Sequence, residues 1–511
     1  MATTTKTARA VAALGMCAAL GATAGCRDVL DVQPKTFYGT TNFYQNPSQI
    51  DQAVLAVYSR LQTVYGSGLG NAPLWVMAEM RSDNTTYQFN PADRSNLAVE
   101  NIDEFLVTAD NAPVSSFWGS SYTPINEANA ILDRIDAVTY TDAAAKDRAI
   151  GEAKFNRALH YFNLVRLFGD VPLFLHEVNT YSEAFSKRTA ADSVYRQIIA
   201  DAQDAIAKLP TRAALPAAQA GRATKGAASM LLADVYVTRK QWQDAANVLQ
   251  TVLGMGYSLV TPYERNFDPT TKNGAESIFE VQFSESVVGQ GSQYIYRFAP
   301  FNSGNALTSG FNDLTINQAG WNIPTRDLIA AYEPGDLRKA ASIGWYRNAA
   351  NTQYTDVAVG DSIPYIRKYA QPFAQAGRQG NDFPIYRYAE TLLLYAEALN
   401  ELNRTSEAYQ YVNQVRARAG LGALAAGLSQ AQFRDAVWKE ERVELAFEDK
   451  RWFQLLRAGT AVQVLNAQGA ALKAQTTRRS SVSYNVTPAM LLYPIPLREI
   501  SLNGFAQNPG Y

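Results

Sequence analysis

The chain has 511 residues, of which 47% are hydrophobic and 11% aromatic, with 46 Lys and Arg against 47 Asp and Glu. A formal charge of −1, with no Lys/Arg run able to neutralise several phosphates, argues against a nucleic-acid-binding protein. Two His and two Cys nearly exclude a zinc or iron–sulfur enzyme built on those ligands, and no metal or other cofactor is predicted. Carboxylate chemistry and pure binding remain open.

The N-terminus has the pattern of an export signal. Two cations precede an apolar run over residues 11–22, which is too short to span a bilayer with ease, and small residues lead to Cys26. Cleavage before Cys26 removes residues 1–25 and resembles the processing of bacterial lipoproteins, in which the new N-terminal cysteine carries acyl chains. Thr23 stands where such signals usually have Leu, and the alternative is an ordinary secretory signal cut nearby, which leaves a free thiol.

Cys26 is the only cysteine of the predicted mature chain. An exported protein with one cysteine has no internal disulfide and depends on packing for its stability. Each buried methylene of an acyl chain contributes about 0.8 kcal/mol, so two or three chains would hold the protein to a membrane. No transmembrane helix is predicted downstream. We therefore predict lipidation at Cys26 and attachment to a membrane surface.

Apolar residues recur at helical spacing in two blocks, which predict a helical scaffold. The first covers about 40–253 and the second about 384–458. Between them, residues 254–383 are rich in Gly, Asn, Ser, Tyr and Pro without a sustained period, which predicts long loops with short strands. Loops of that length in a compact domain are usually functional or disordered, and the aromatic content favours order. Residues 459–511 are expected to form an irregular segment. Residues 26–511 are predicted to form one domain.

An internal repeat links the two helical blocks. Residues 231–234 recur 163 residues later as residues 394–397, and Ala408 takes the place of Ala245. In both copies an Ala on one helix lies twelve residues before an Ala on the next, where two helices must approach closely. This pattern resembles tetratricopeptide repeats, which are helix pairs with small residues at their crossing. The distance between the copies indicates a discontinuous scaffold, with the middle region inserted as a cap.

Aromatic side chains are the candidate ligand contacts, because a Trp or Tyr ring stacks well on the C–H face of a sugar. Helical patterns assign four tryptophans to the core: Trp118, Trp242, Trp438 and Trp452. Five other rings lie where no helical period asks for a large apolar residue: Trp75, Tyr294, Tyr296, Trp321 and Trp345. We predict that these five form a ligand platform, with local loop packing as the alternative.

The surroundings of these rings support the prediction. Tyr294 and Tyr296 are spaced two apart, which on a strand places both rings on one face. Trp75 opens a segment that is dense in groups able to bond hydroxyls, and Trp321 and Trp345 lie among Gly and Asn.

A glycosidase is a distant alternative, since hydrolysis requires two carboxylates about 5 to 9.5 Å apart. Glu440, Glu441 and Glu444 share one predicted helix, but the interleaved Arg442 and the later Arg451 favour ion pairing. The sequence contains no Gly-x-Ser-x-Gly elbow, Walker loop or His-Glu-x-x-His motif. We therefore predict a protein that is not an enzyme.

Several segments together resemble the SusD/RagB family, the surface glycan-binding lipoproteins of Bacteroidota-type nutrient uptake systems. The segments are CRDVLDVQP at 26–34, EAKFNRALHYFNLVRLFGDVP at 152–172, RYAE at 387–390 running into YAEA at 395–398, ERVELAFE at 441–448 through Arg451-Trp452, and YPIP at 493–496 to QNPGY at 507–511. The similarity extends over nearly the whole predicted mature chain.

The resemblance implies a mainly α fold of four tetratricopeptide-like units, with a loop-rich, partly β insertion that carries the ligand site. It also implies a place on the outer membrane, facing outward, and a partner, a SusC-like TonB-dependent barrel transporter on which the protein sits as a lid. Its function would be to capture an oligosaccharide and deliver it to that transporter. No family motif marks the ligand residues, so the five aromatic residues remain a prediction from composition and position.

Two features of the ligand stay open at the level of sequence. The near-neutral charge favours an uncharged glycan, but Arg81, Arg94 or Arg297 near the predicted site could serve an acidic one. A tetratricopeptide-type scaffold that binds a peptide or protein is the alternative function, and the position of the exposed aromatic rings distinguishes the two.

Overall fold

The computed structural model describes residues 43–66, 68, 73–90, 94–301, 303, 307, 319–347, 361–371, 378–475 and 479–511. The predicted signal peptide and Cys26 lie outside these ranges. From Asn46 to Tyr511 the described residues form one unit, and residues 43–45 before it form a bend. The fold is mainly α, as the sequence predicts, and the described strands form three antiparallel pairs. None of the helices in these ranges has the length and apolar content needed to cross a membrane.

The first helical block contains seven α-helices among its described residues. They are α1 (Pro47–Tyr65), α2 (Leu97–Asp103), α3 (Ala112–Arg134), α4 (Ala143–Phe168), α5 (Ala191–Lys208), α6 (Lys225–Thr238) and α7 (Trp242–Leu253). A π-helical turn, Trp75–Glu79, and the short strand β1 (Thr85–Thr86) lie between α1 and α2. From α3 to α7 each helix packs against the next, which is the arrangement of consecutive antiparallel helix pairs.

The internal repeat corresponds to two helix pairs in contact. The second pair is formed by α11 (Tyr388–Glu401) and α12 (Thr405–Arg418), and α11 also packs against α7. The four alanines that define the repeat have no exposed surface: Ala233, Ala245, Ala396 and Ala408. A larger side chain at any of them would separate the paired helices, which explains why the spacing between the alanines is repeated.

The middle region consists of short elements. They are β2 (Ser277–Val281), α8 (Tyr294–Phe298), β3 (Ile323–Pro324), α9 (Arg326–Ala331), α10 (Leu337–Ser342), β4 (Ile343–Arg347), β5 (Ser362–Ile366) and β6 (Phe383–Arg387). Strand β3 pairs with β1, β2 with β6, and β4 with β5. Because β6 runs directly into α11, the β2–β6 pair fixes the middle region to the second helical block.

The C-terminal part differs from the prediction. It contains α13 (Gln430–Glu444), α14 (Arg451–Ala458), α15 (Ala461–Gln475) and α16 (Leu497–Asn503). The expectation that residues 459–511 are irregular is therefore wrong for α15, a helix of 15 residues. Ala and Gln, which are good helix formers, dominate α15, and Leu465 and Leu472 are its fully or nearly buried large apolar residues. Its apolar stripe is too narrow to stand out as a helical period.

The prediction that four tryptophans lie in the core is confirmed for two of them, and the other two are partly buried. Trp118 and Trp452 are buried, and both pack against other rings. Trp242 and Trp438 are half-buried, and the indole nitrogen of Trp438 donates a hydrogen bond to Glu397 at 2.8 Å.

A buried network of ion pairs joins the middle region to the second helical block. Arg387, at the end of β6, donates to Glu276, Glu444 and Glu448. Arg338 on α10 donates to Glu444 as well, at 3.0 Å. All five side chains are at most 2% exposed. Burial alone would raise the pKa of Glu444, but three arginines nearby hold that pKa well below its usual range.

The other glutamates of α13 are paired in the same way. Glu440 accepts a hydrogen bond from Arg416 at 3.0 Å, and Glu441 accepts one from Arg457 at 2.5 Å. Arg451, which follows α13, pairs with Asp83 at 2.7 Å. The glutamates of α13 are ion-paired, as predicted, but with arginines outside that helix, whereas Arg442 pairs with Asp83 as Arg451 does. These carboxylates are bound to arginines rather than arranged across an open cleft.

Candidate ligand-binding site

The β4–β5 hairpin carries the most exposed of the predicted ligand residues. Trp345 lies on β4 opposite Pro364 of β5, and its side chain is 54% exposed. Six of the ten residues of the two strands are aromatic or β-branched, which is typical of a pleated pair. Side chains alternate between the two faces of a strand, so the neighbours of Trp345 lie on the opposite face.

That opposite face is fixed by a close contact between Gly344 and Tyr365. The two residues are paired in the hairpin, and a Cβ atom at Gly344 would lie 2.2 Å from Cζ of Tyr365. The Tyr365 ring thus occupies the space that any side chain at position 344 would need, and it is 9% exposed. One face of the hairpin is therefore packed against the protein, and Trp345 is exposed on the other face.

Trp345 borders an open cleft with a volume of about 630 Å³. Five segments line the cleft: the end of β1 with the residues after it, the β3–α9 segment, Lys339 of α10, the β4–β5 hairpin, and the last turn of α15 with Arg479. The described lining combines one exposed ring with amide, hydroxyl and charged side chains. This combination suits a polar ligand that also has an apolar face.

The floor of the cleft is a tightly bonded cluster around Arg479. The Arg479 guanidinium lies 4.7 Å from the centroid of the Tyr87 ring, and its nitrogens donate to Thr86 at 2.8 Å and to Tyr484 at 2.5 Å. It also pairs with Asp103 and Glu104. The positive charge of Arg479 is thereby compensated within the protein.

Two more contacts hold this floor in place. Tyr87 donates a hydrogen bond from its hydroxyl to Glu104 at 2.7 Å, and its ring packs 5.7 Å from that of Trp321. Burial raises the pKa of Asp103 to about 7, although Arg479 and the bonded hydroxyls oppose that shift. Since Tyr87 and Arg479 are each held by several partners, the floor of the cleft is pre-organised.

Gln88 contributes a free donor to the lining. Its amide oxygen accepts a hydrogen bond from the backbone nitrogen of Phe301 at 2.9 Å, which fixes the side chain. Its nitrogen Nε2 is buried and has no hydrogen-bond partner within the described part of the protein. An unsatisfied buried donor is costly, and a ligand hydroxyl at this position would satisfy it.

The structure separates the five predicted platform residues. Trp75, Tyr294 and Tyr296 are at most 1% exposed, so their rings offer no face to a ligand. The indole of Trp75 donates to the carbonyl of Gly66 at 3.1 Å and packs edge-on against Phe298. For these three rings the ligand prediction is wrong: they are buried in apolar clusters, whereas the alternative from the sequence was local loop packing.

The strand proposed for the two tyrosines is also incorrect. Tyr294 and Tyr296 lie on the short helix α8, where residues two apart point in different directions. Tyr294 joins the main core, whereas Tyr296 packs in a small separate cluster beside Tyr365. Trp321 is 6% exposed and supports the floor through Tyr87. Trp345 is the member of the predicted set that lines the cleft.

The polar residues of the cleft lining were not predicted from the sequence. They include Gln88, Arg326, Lys339, Asp361 and Ser362. Single polar residues have no period that would reveal them, and only tertiary structure brings the segments after β1, before α9 and in β5 together. Arg326 and Lys339 could have been suspected from the sequence only because they lie close in the chain to Trp321 and Trp345.

Comparison with known proteins decides the family. Residues 342–511 match the SusD family, and residues 30–237 match a family described as starch-binding and associating with the outer membrane. SusD-like protein P2 from Formosa agariphila is 30% identical, in an alignment that covers 95% of this chain and 97% of that protein. The chain belongs to the SusD family. SusD-like protein P25 from the same organism is 27% identical over 95% of this chain and 96% of its own.

Solved structures agree with this assignment to the SusD family. A laminarin-binding SusD-like protein is 27% identical and superposes with a TM-score of 0.74, covering 92% of this chain and all of that one. The mainly α, tetratricopeptide-like fold is confirmed. Members of the SusD family bind glycans and are not enzymes, which confirms the prediction of a binding protein at the level of the family. The second matching family is associated with the outer membrane.

Proposed function

We propose that this protein binds an oligosaccharide at the cell surface, in the cleft beside Trp345. The observation that carries the proposal is an exposed indole on a hairpin whose other face is packed, next to a cleft with a bonded polar floor. The laminarin-binding relative and the starch-binding description of the matched family support a glycan as the ligand.

Recognition would combine stacking with hydrogen bonding. A sugar ring stacks on Trp345 through its C–H face, while Gln88 and Ser362 offer partners for its hydroxyls. An open cleft with one ring gives modest affinity for each sugar, so an oligomer that makes several contacts binds more tightly than a single unit. No bond is made or broken in this mechanism.

Capture would be the first step of uptake. We propose that the bound oligosaccharide is passed, by a hinged closure, to a SusC-like TonB-dependent barrel in the outer membrane. We also propose that acyl chains on Cys26 anchor the protein there, facing outward. The resemblance of the segments at 26–34 and 152–172 to SusD/RagB lipoproteins supports both parts of this proposal.

The test is Trp345→Ala, measured by calorimetry against starch, laminarin, polygalacturonate, sulfated laminarin and a peptide pool. Loss of the stacking surface should weaken binding of the preferred polysaccharide about tenfold. Because Trp345 is exposed, the thermal midpoint should change by less than about 2 °C. Tyr181→Ala is the matched control, since Tyr181 is 70% exposed and lies outside the cleft lining, and it should alter neither quantity.

Unchanged polysaccharide binding by Trp345→Ala would place the ligand elsewhere on the protein. Binding of the peptide pool without any polysaccharide would favour the scaffold for peptide or protein ligands instead. A fall of many degrees in the midpoint would show that Trp345 supports the fold.

A further inference from the structure

Two cations in the cleft have no partner within the described residues. Arg326, the first residue of α9, is exposed, and Lys339 on α10 is half-buried. Both line the cleft that Trp345 borders. Neither side chain forms an ion pair or a hydrogen bond with any residue that the structure describes. Elsewhere in this region, by contrast, arginines such as Arg338 and Arg387 are fully paired.

The acidic residues nearest to these cations along the chain are paired with other residues. Asp327 pairs with Arg442 at 2.8 Å, and Asp336 pairs with Arg338 at 2.8 Å. Arg326 and Lys339 therefore contribute no ion pair to the stability of the fold. Exposed cations are common on protein surfaces, but here two of them share one cleft with an exposed Trp.

The local charge of the cleft differs from that of the whole chain. Arg479 also lines the cleft, but Asp103 and Glu104 compensate its charge. Among the described lining residues, Asp361 is the one carboxylate. Apart from Arg479 and its partners, the described lining thus holds two cations and one carboxylate, although the chain as a whole carries a charge of −1.

We propose that the cleft selects anionic oligosaccharides, with carboxylate or sulfate groups of the ligand pairing with Arg326 and Lys339 while a sugar ring stacks on Trp345. A guanidinium presents a planar pair of donors that matches carboxylate and sulfate oxygens, and an ammonium acts as a point charge. This inference rests on the proposed glycan binding and adds the class of glycan, in place of the uncharged ligand that the overall charge favours.

The experiment compares polymers that share a backbone and differ in charge. One pair is laminarin and sulfated laminarin, and the other is polygalacturonate and its fully methyl-esterified form. The full-length protein should bind the charged member of at least one pair about tenfold more tightly at low ionic strength, and added salt should reduce that preference. The pair that shows the preference identifies the anionic group as sulfate or carboxylate.

The double variant Arg326→Gln/Lys339→Gln should abolish the preference for the charged member. The matched control is Lys187→Gln/Arg498→Gln, which removes the same charge from two exposed positions outside the cleft lining. Compared in physiological salt, where the Debye length is about 8 Å, that control should retain most of the preference that the unaltered protein shows there, because its charges lie outside the cleft lining and are screened.

Equal affinity for both members of each pair, or no measurable binding of either charged polymer, would overturn the inference. An equal loss of preference in the cleft variant and in the control would also overturn the inference. The preference would then come from the net charge of the protein and not from the two cations in the cleft. The proposed function stands or falls separately: neutral starch or laminarin bound through Trp345 would support glycan binding even if the charge preference is absent.

Discussion

Glu79, the last residue of the π-helical turn, is a carboxylate with no exposed surface and with two unlike oxygens. Its Oε1 accepts hydrogen bonds from the side chain of Asn84 and from the backbone nitrogen of Phe447, both at 3.0 Å. Its Oε2 has no hydrogen-bond partner in the described part of the chain. Burial raises the pKa of Glu79 to about 7, although the two hydrogen bonds oppose that shift.

This raised pKa makes the stability of the protein depend on pH in a defined direction. Because the pKa of Glu79 is higher in the folded than in the unfolded state, its favourable contribution is complete below about pH 4.5 and is lost as the pH rises to about 7. Glu79→Gln imitates the protonated acid and keeps the Oε1 contacts. Between pH 4 and pH 8, the free energy of unfolding of the variant should gain up to about 3 kcal/mol relative to the wild type.

Urea unfolding of both proteins at pH 4, 6 and 8 measures this difference. A difference that is the same at all three pH values would mean that Glu79 ionises normally in the folded protein.

At the scale of residues, the sequence identified ion pairs better than ligand contacts. That Glu444 forms ion pairs was predicted correctly, but the partners were not, because Arg338, Arg387 and Arg418 are distant from it along the chain. Trp75 and Tyr294 were misplaced because composition does not show on which side of a short element a ring lies. The burial of Tyr294 depends on contacts with Tyr65 and Phe383, which are distant in sequence.

Helix α15 approaches the following segment at Gly469. A Cβ atom there would lie 2.1 Å from Cβ of Tyr484, closer than any real contact. Gly469→Ala should therefore lower the free energy of unfolding by about 1 to 3 kcal/mol, even though Ala favours a helix over Gly by about 1 kcal/mol. Thermal unfolding monitored by circular dichroism measures the change.

The matched control is Gly119→Ala on α3. A Cβ atom at Gly119 meets nothing within 4 Å, so this substitution should stabilise the protein by up to about 1 kcal/mol. Shifts of the two variants in the same direction would show that the contact with Tyr484 does not limit the packing of α15.

At the scale of elements, prediction succeeded where a pattern was wide or repeated. The pairs α6–α7 and α11–α12 were found because two buried alanines recur at one spacing in both. The helix α15 was missed because its buried stripe contains Gly469 and Gln468 among few large apolar residues. The helix α8 was missed because five residues are too few to show a period.

The buried ion pairs make the middle region and the second helical block interdependent. Glu444 accepts hydrogen bonds from Arg338 on α10, Arg387 on β6 and Arg418 on α12. Glu444→Gln leaves three buried cations without this charge, so the free energy of unfolding should fall by about 3 to 5 kcal/mol. Chemical denaturation at pH 7, followed by tryptophan fluorescence, measures the loss.

The pH profile provides a second measure of this network. The pKa of Glu444 is depressed in the folded state, so its contribution is present above about pH 4.5 and is lost as the pH falls, and the variant should approach the wild type in acid. Glu407→Gln is the control, because Glu407 forms an exposed pair with Arg404, and its unfolding midpoint should hardly change. Equal effects of the two substitutions would show that the buried ion pairs contribute no more to the free energy of unfolding than an exposed pair does.

The two faces of the β4–β5 hairpin have different roles: one packs against the protein, and the other is exposed beside the cleft. Gly344 and Tyr365 hold the inner face, whereas Trp345, Arg347 and Ser362 are exposed on the outer one. Substitutions on the outer face change what the cleft presents without disturbing the contacts that hold the hairpin. A lineage of such proteins can therefore acquire a new ligand through a few outward-facing mutations, while selection for a stable helical scaffold continues to act on other residues.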